Sequence, residues 1–220
     1  MQKTISFFKQ FPFAMLLCVQ LLSVVFYGFM TDSKTSYLIF NCLGLIVPIL
    51  AVWVVYRTSA INWVASILVI LSIGTTILTN FSSTPTLLAW AHAFESLLYF
   101  YAASSLIMYM FKDNIVTLDE LYAAAATFTL LVWAFALAYS VCQQVYPGSV
   151  LGAINPNNPR SWIELLFMSF SIQSSTGVGD VVPISGPARA IGALQMFTGV
   201  MYVAIVISRL VGLAAITKTK

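Results

Sequence analysis

The sequence predicts an all-helical integral membrane protein, with six transmembrane helices and one shorter re-entrant helix between the fifth and sixth. Three observations predict it. Of 220 residues, 60% are hydrophobic and only 8% charged, where a soluble domain carries about 25% charged residues. The mean hydropathy is +0.93, and so few charges cannot clothe a globule in water. Six apolar runs, at 11–30, 37–56, 60–79, 86–111, 121–145 and 188–216, approach or exceed the roughly 20 helical residues that cross a bilayer core. Between the last two lies "WIELLFMSF", apolar but too short to span.

Taken in order, the first run follows Lys3 and Lys9 in the manner of a signal sequence. It is too long for one and lacks a small-x-small cleavage site, so it reads as a retained span. The polar breaks "TDSKTS", "RTSA", "NFSSTP" and "KDNIVTLDE" separate the first five runs. Within the last of these, "TLDELY" (117–122) reads as a short interfacial link. The chain accordingly divides near residue 115, into a four-helix domain (1–115) and a helix, short helix, loop and helix unit (116–220). With the N-terminus inside, Lys3, Lys9, Arg57, Lys112, Arg209, Lys218 and Lys220 face the cytoplasm, against Lys34, Arg160 and Arg189 outside. Positive charge concentrates on the inner side of membrane proteins, so both termini are expected in the cytoplasm.

Composition also excludes function classes. No basic run suggests nucleic acid. Cys18, Cys42 and Cys142 sit inside apolar runs without CxxC or Cys/His spacing and read as buried free thiols. One histidine, no carboxylate pair with a base and no phosphate loop leave catalysis without support. The "GVGD" run lacks the strand–helix context of a nucleotide site. Neither a cofactor nor a resident metal is expected. Residues 58–111 hold no Lys or Arg, so the fourth helix is not an Arg-rich voltage sensor. His92 and Glu95, three residues apart, share one face of that helix. Glu95 lies about 14 Å from its outer end. Two readings stand: a proton sensor, or a structural pair in which neutral Glu95 bonds to His92 or to a neighbouring helix. Trp53, Trp63, Trp90, Tyr99 and Tyr101 read as packing or interface residues.

The stretch "SFSIQSSTGVGDVVP" (169–183) breaks the apolar pattern. Irregular backbone at membrane depth persists only where protein buries it or where it lines a watery cavity. Gly177 and Gly179 admit positive φ, which lets successive carbonyls face one way, and carbonyls facing one axis replace the hydration shell of a cation. Ser174, Ser175 and Thr176 add hydroxyls and permit close approach of subunits.

"WIELLFMSFSIQSSTGVGDVVP" resembles the pore helix and selectivity filter of the potassium channel pore-loop family, and "ARAIGALQMFTGVMYVAIVISRLVGL" resembles the inner helix of its small prokaryotic members with two-helix pore domains. The resemblance covers about 120–216. It implies a filter at Ser175, Thr176, Gly177, Val178 and Gly179, with Asp180 as the acid after it and Glu164 near the pore-helix N-terminus, where an acid suits the helix dipole. Ser175, Thr176 and Val178 depart from the family's usual threonine, valine and tyrosine or phenylalanine. A tyrosine would pack behind the filter; unless a bulky neighbour such as Phe170 or Trp162 fills that space, the smaller Val178 is expected to leave the upper filter more mobile.

What the resemblance implies is a homotetramer in the cell membrane that conducts K⁺ passively, with filter carbonyls as the sole potassium ligands. A weakly selective monovalent cation channel is the alternative. A secondary cation transporter or a non-conducting membrane partner is the alternative of another class. Along the sixth helix, helical spacing from Val200 gives Val203, Ile207 and Val211 as the inner-pore lining. Gly199 is either a hinge or a small residue for close packing. Arg209 points off that face and is expected to snorkel to the inner interface.

Overall fold

The structure is a computed structural model that describes residues 11–29, 34–58, 60–79, 84–112 and 117–218, with side chains except at 34–43, 85, 207, 210 and 212–218. The described residues form α1 (Pro12–Gly28), α2 (Lys34–Val55), α3 (Asn62–Thr79), α4 (Pro85–Met110), α5 (Leu118–Val145), β1 (Val150–Gly152), α6 (Trp162–Gln173), β2 (Val181–Pro183) and α7 (Gly186–Lys218). Proline opens α1 and α4, where its missing N–H is one the helix cannot use. The fold is therefore mostly helical, as expected of an all-α membrane protein. Among the described residues, three helices are long and apolar enough to cross a membrane: Asn62–Thr79, Leu118–Val145 and Gly186–Val206. α1 has 17 residues. α4 is longer, but His92, Glu95 and several serines dilute its apolar character.

One boundary differs from the sequence reading. "TLDELY" is the first turns of α5 rather than a link. Thr117 caps the helix by accepting the Glu120 N–H at 3.2 Å, the T-x-x-E pattern of a helix start. The division near residue 115 falls among residues 113–116, outside the described residues.

α5 is the hub, packed against α1, α4, α6 and α7. Its small residues, Ala123, Ala126, Ala134 and Ala136, let neighbouring backbones come close and bare its carbonyls. Three neighbours use them: Ser96 of α4 donates to the Ala134 carbonyl (2.8 Å), Ser169 of α6 to Val132 (2.7 Å) and Tyr202 of α7 to Ala124 (2.5 Å). From α1, Gln20 Oε1 accepts the Thr129 hydroxyl at 2.7 Å. Such interhelical bonds contribute about 0.6 kcal/mol each on average inside membrane proteins. Around them lies a core of Trp133, Tyr99, Leu98, Leu106 and Leu130. Cys142 is buried and free as expected, but Cys18 is exposed, because α1 buries only one face. The Cys42 side chain lies outside the described residues.

Candidate functional site

The site begins at Arg160. Although expected among the outward charges, it is 4% exposed. Its guanidinium donates to the carbonyls of Ile154, Asn155 and Asn158, and to Glu164 Oε1 at 3.1 Å. Its own peptide groups pair with the Gln143 amide of α5, at 2.9 and 3.0 Å. Gly152 leaves room for the guanidinium; a Cβ there would collide with it. The loop at 146–160 is thus folded around one cation.

α6 starts from this anchor. Ser161 and Glu164 form a reciprocal capping box: the Ser161 hydroxyl accepts the Glu164 N–H, while Glu164 Oε2 accepts from the Ser161 N–H and hydroxyl, each at 2.7 Å. Burial pulls the Glu164 carboxyl upward, but the Ser161 hydrogen bonds and the Arg160 guanidinium outweigh it and hold the group below the usual carboxylate range. Among the described residues no hydrogen bond joins Glu164 to Asp180, whose side chain is exposed. Glu164 therefore acts on the far end of α6, not on the glycine loop directly.

At its other end α6 runs into that loop. The N–H groups of Thr176 and Gly177 both turn back to the Ser171 carbonyl, at 3.1 and 3.3 Å, and that of Ser175 to Ile172 at 3.1 Å. The Thr176 hydroxyl adds a bond to Ser171 O and another to the Ser174 hydroxyl. Left-handed backbone then alternates along the chain: φ is 59° at Ser175, 67° at Gly177 and 145° at Gly179. The glycines adopt it freely; at Ser175 it is a strained conformation that residue type alone does not announce. All of residues 174–180 are exposed. The ring beside Gly179 is Phe167, 3.4 Å from where a Cβ would stand. Phe170 and Trp162, the bulky neighbours weighed for that space, pack against the main core.

Beyond Asp180 the chain is clipped in place. β2 pairs antiparallel with β1, Val181 opposite Gly152 and Pro183 opposite Val150. Ala153 N–H donates to the Asp180 carbonyl at 3.2 Å, and Ile184 N–H to Ser149 at 2.9 Å.

α7 closes the site from behind with one buried stripe: Ala188, Gly192, Gln195, Gly199, Tyr202 and Val206. Gln195 donates to the Ser169 carbonyl (3.0 Å) and hydroxyl (2.6 Å), and Ser169 donates onward to Val132, so one buried relay joins α7, α6 and α5. Gly199 faces the last residue of α6, and any Cβ would strike the Gln173 backbone. Of the two readings of Gly199, close packing is the one this contact requires. Val200, Val203 and Val211 are exposed, and the Ile207 side chain lies outside the described residues. Arg209 does not snorkel free: it pairs with the buried Glu120 at 3.7 Å and sits over the Phe111 ring at 4.9 Å.

His92 and Glu95 lie apart from the glycine loop. His92 Nδ1 hydrogen-bonds to Ser140 Oγ (2.9 Å) and Gln144 Nε2 (3.2 Å) on α5, whereas Glu95 Oε1 accepts the Tyr99 hydroxyl at 2.7 Å. No bond joins the two among the described residues, yet both line one cavity.

Sequence reasoning passed over Arg160, Gln195 and Phe167. The S-x-x-E of 161–164 was a legible signal for the α6 start; burial of Arg160 and the pairing of Gln195 depend on tertiary contacts that no local pattern carries.

Residues 127–215, from within α5 to the far part of α7, match the family model described as "Ion channel". No curated protein and no solved structure matches the chain.

Proposed function

We propose that this chain, which carries ion-channel family sequence over residues 127–215, is one subunit of a homotetrameric channel that conducts potassium passively across the cell membrane. The observation that carries the reading is the exposed loop in which left-handed backbone alternates at Ser175, Gly177 and Gly179 while the amides of 175–177 are spent on the end of α6. Carbonyls of Ser175, Thr176, Gly177 and Val178 are thereby left to face a cation, and carbonyl rings are the means by which a filter replaces hydration water. The C-terminal, negative end of the α6 dipole lies at the same place.

One such loop encloses no axis. Four copies in closed cyclic symmetry do, with Gly177 and Gly179 nearest the axis. The broad apolar surface of α7, including Leu194, Phe197 and Val200, then meets lipid, a neighbouring copy or the inner vestibule. In this reading α1–α5 and α7 are six spans, 1–115 is a helical membrane domain and 116–220 the pore domain. Both termini lie in the cytoplasm. Val200, Val203, Ile207 and Val211 line the inner vestibule, an apolar face that closes by dewetting. Asp180 follows the filter and Glu164 stabilises its helix.

Val178 has no hydroxyl and is 63% exposed, with Phe167 rather than a tyrosine at the adjoining Gly179. That favours, as a second reading, potassium preference with weak discrimination against sodium. Single-channel recording of the purified protein under potassium/sodium bi-ionic conditions tests both. Cation current with a reversal potential displaced toward potassium supports conduction, and Val178→Tyr should increase the displacement. Strong selectivity in the native protein would remove the second reading; anion current, or coupled flux driven by another ion's gradient, would remove the first.

A further inference from the structure

We propose that the cavity among the N-terminal helices, α5 and the start of α6 is a binding site for a small methylated organic ammonium ion. The cavity measures about 320 Å³ and is lined by Tyr27, Thr76, His92, Glu95, Trp133 and Trp162 among others. That volume lies in the range of small-molecule sites.

Three features define its occupant. The first is charge. Glu95 spends Oε1 on the Tyr99 hydroxyl, and its other oxygen has no hydrogen-bond partner among the described residues. Among the described residues no Lys or Arg lines the cavity. Arg160, across His92 and Trp162 in the neighbouring cavity of about 540 Å³, is committed to Glu164 and three carbonyls. A carboxylate enclosed by apolar helices without a protein counter-charge is neutralised by a proton or by a cation from outside.

The second feature is the walls. Tyr27, Trp133 and Trp162 form a triangle of rings, with centroids 6.0, 6.2 and 5.7 Å apart. Aromatic side chains attract weakly hydrated cations, and methylated ammonium ions are recognised by such groups of rings. The third is the scarcity of acceptors. Gly44, Leu45, Ile77, Leu88, Ala91 and Leu137 make most of the remaining lining apolar, and a quaternary ammonium, having no N–H to satisfy, suits such walls best.

Trp162 is the first residue of α6, so an occupant touches the helix whose other end carries the 174–180 loop. The proposal itself does not depend on conduction.

The test uses the purified full-length protein in phosphatidylglycerol nanodiscs, with choline as probe and 3,3-dimethylbutan-1-ol as its uncharged isostere, followed by tryptophan fluorescence and calorimetry. Choline should bind saturably and at least about tenfold more tightly than the isostere, the scale of a desolvated cation–aromatic contact. Glu95→Gln, which keeps an acceptor for Tyr99, should abolish that preference, and Trp162→Leu should weaken choline binding. Equal binding of the two probes, or none at millimolar concentration, overturns the proposal and leaves Glu95 neutralised by a proton. Preference retained in Glu95→Gln overturns it as well. Should that variant fail to fold, the isostere comparison on the native protein still decides. Repeating the titration in phosphatidylcholine nanodiscs separates the sources: weakened choline binding identifies a lipid headgroup as the occupant, and unchanged binding a free small ion. None of these measurements reads ion flux, so their failure and a failure to conduct are distinguishable.

Discussion

α5 and α7 are both apolar on every side, yet the fold treats them differently. From Thr129 to Leu137 every residue of α5 is buried, whichever way it points. Among its described side chains α7 buries only the stripe Ala188, Gly192, Gln195, Gly199, Tyr202 and Val206, while Leu194, Met196, Phe197, Val200 and Met201 remain uncovered. A helix hydrophobic all round must be covered by protein or by lipid, and hydropathy alone cannot say which. Residue size alone does not say either: the α7 seam holds Gln195, Tyr202 and Val206 beside Ala188, Gly192 and Gly199, while Ala190, Ala193 and Ala204 lie outside it. What decides is the neighbours: α5 meets α1, α4, α6 and α7, whereas α7 meets α5, α6 and β2 along one line.

The comparison breaks most severely at Gly199. Gly199→Val drives a branched side chain into the Gln173 backbone, and α7 must leave its seam; about 3 kcal/mol or more of destabilisation is expected. Thermal unfolding in nanodiscs should show it as a large fall in melting temperature. Gly74→Ala in α3, with open space around it, should change the melting temperature little, since alanine is the better helix former. Equal tolerance at both positions would mean that the seam is not a close contact.

Ser169→Ala comes next. It removes the middle of the relay: the Gln195 amide keeps only the Ser169 carbonyl, and the Val132 carbonyl loses its added hydroxyl donor. Two hydrogen bonds are lost, each contributing about 0.5–1.5 kcal/mol, and Ser169→Ala with Gln195→Leu together should cost less than the two single effects added. Additive losses would show that the pair is not coupled. Tyr202→Phe is milder. It deletes the hydroxyl bond to Ala124 while keeping the ring, a loss of about 0.6–1.7 kcal/mol readable by the same unfolding measurement.

The smallest effect is electrostatic. Glu164 is held below its ordinary range in the fold, so its stabilisation is present above the unfolded carboxylate pKa of about 4.3. It is lost as pH falls through the lower, folded value. The melting temperature of the native protein should therefore drop more steeply on acidification below about pH 4 than that of Glu164→Gln. Parallel acid limbs would show that the capping box contributes nothing measurable.

How much of this was legible depended on whether the signal was local. Apolar runs delimited the helices to within a few residues, because polar breaks separate the runs. Gly177 and Gly179 announced a left-handed loop since few other residues adopt that backbone without strain. Ser175, which also adopts it, gave no sign; its neighbours impose the conformation through the turned-back amides at Ser171 and Ile172. Arg160 read as a solvated charge because nothing in "NPNNPRSW" tells whether its loop folds outward or around it. Phe167 and Phe170 differ by less than one helical turn, and only the packing of α6 decides which reaches the loop. His92 and Glu95 share a helix face as expected, but their partners lie on different elements, a matter of how α4 meets α5.

The seam of α7 advances by alternating steps of four and three residues from Ala188 to Val206, a heptad spacing of about 3.5 residues per turn against about 3.6 for a straight helix. It therefore winds slowly round the helix axis, by about 20° per heptad, like a keyway cut at a slight pitch along a rod. A rod so keyed has few mechanical freedoms. Turning it by one residue, about 100°, exchanges all six contacts at once, so rotation is locked. Sliding by a full turn of about 5.4 Å brings Gly199's place to a bulkier side chain and jams against Gln173. The tightest point of that fit is where Gly199 meets the Gln173 backbone.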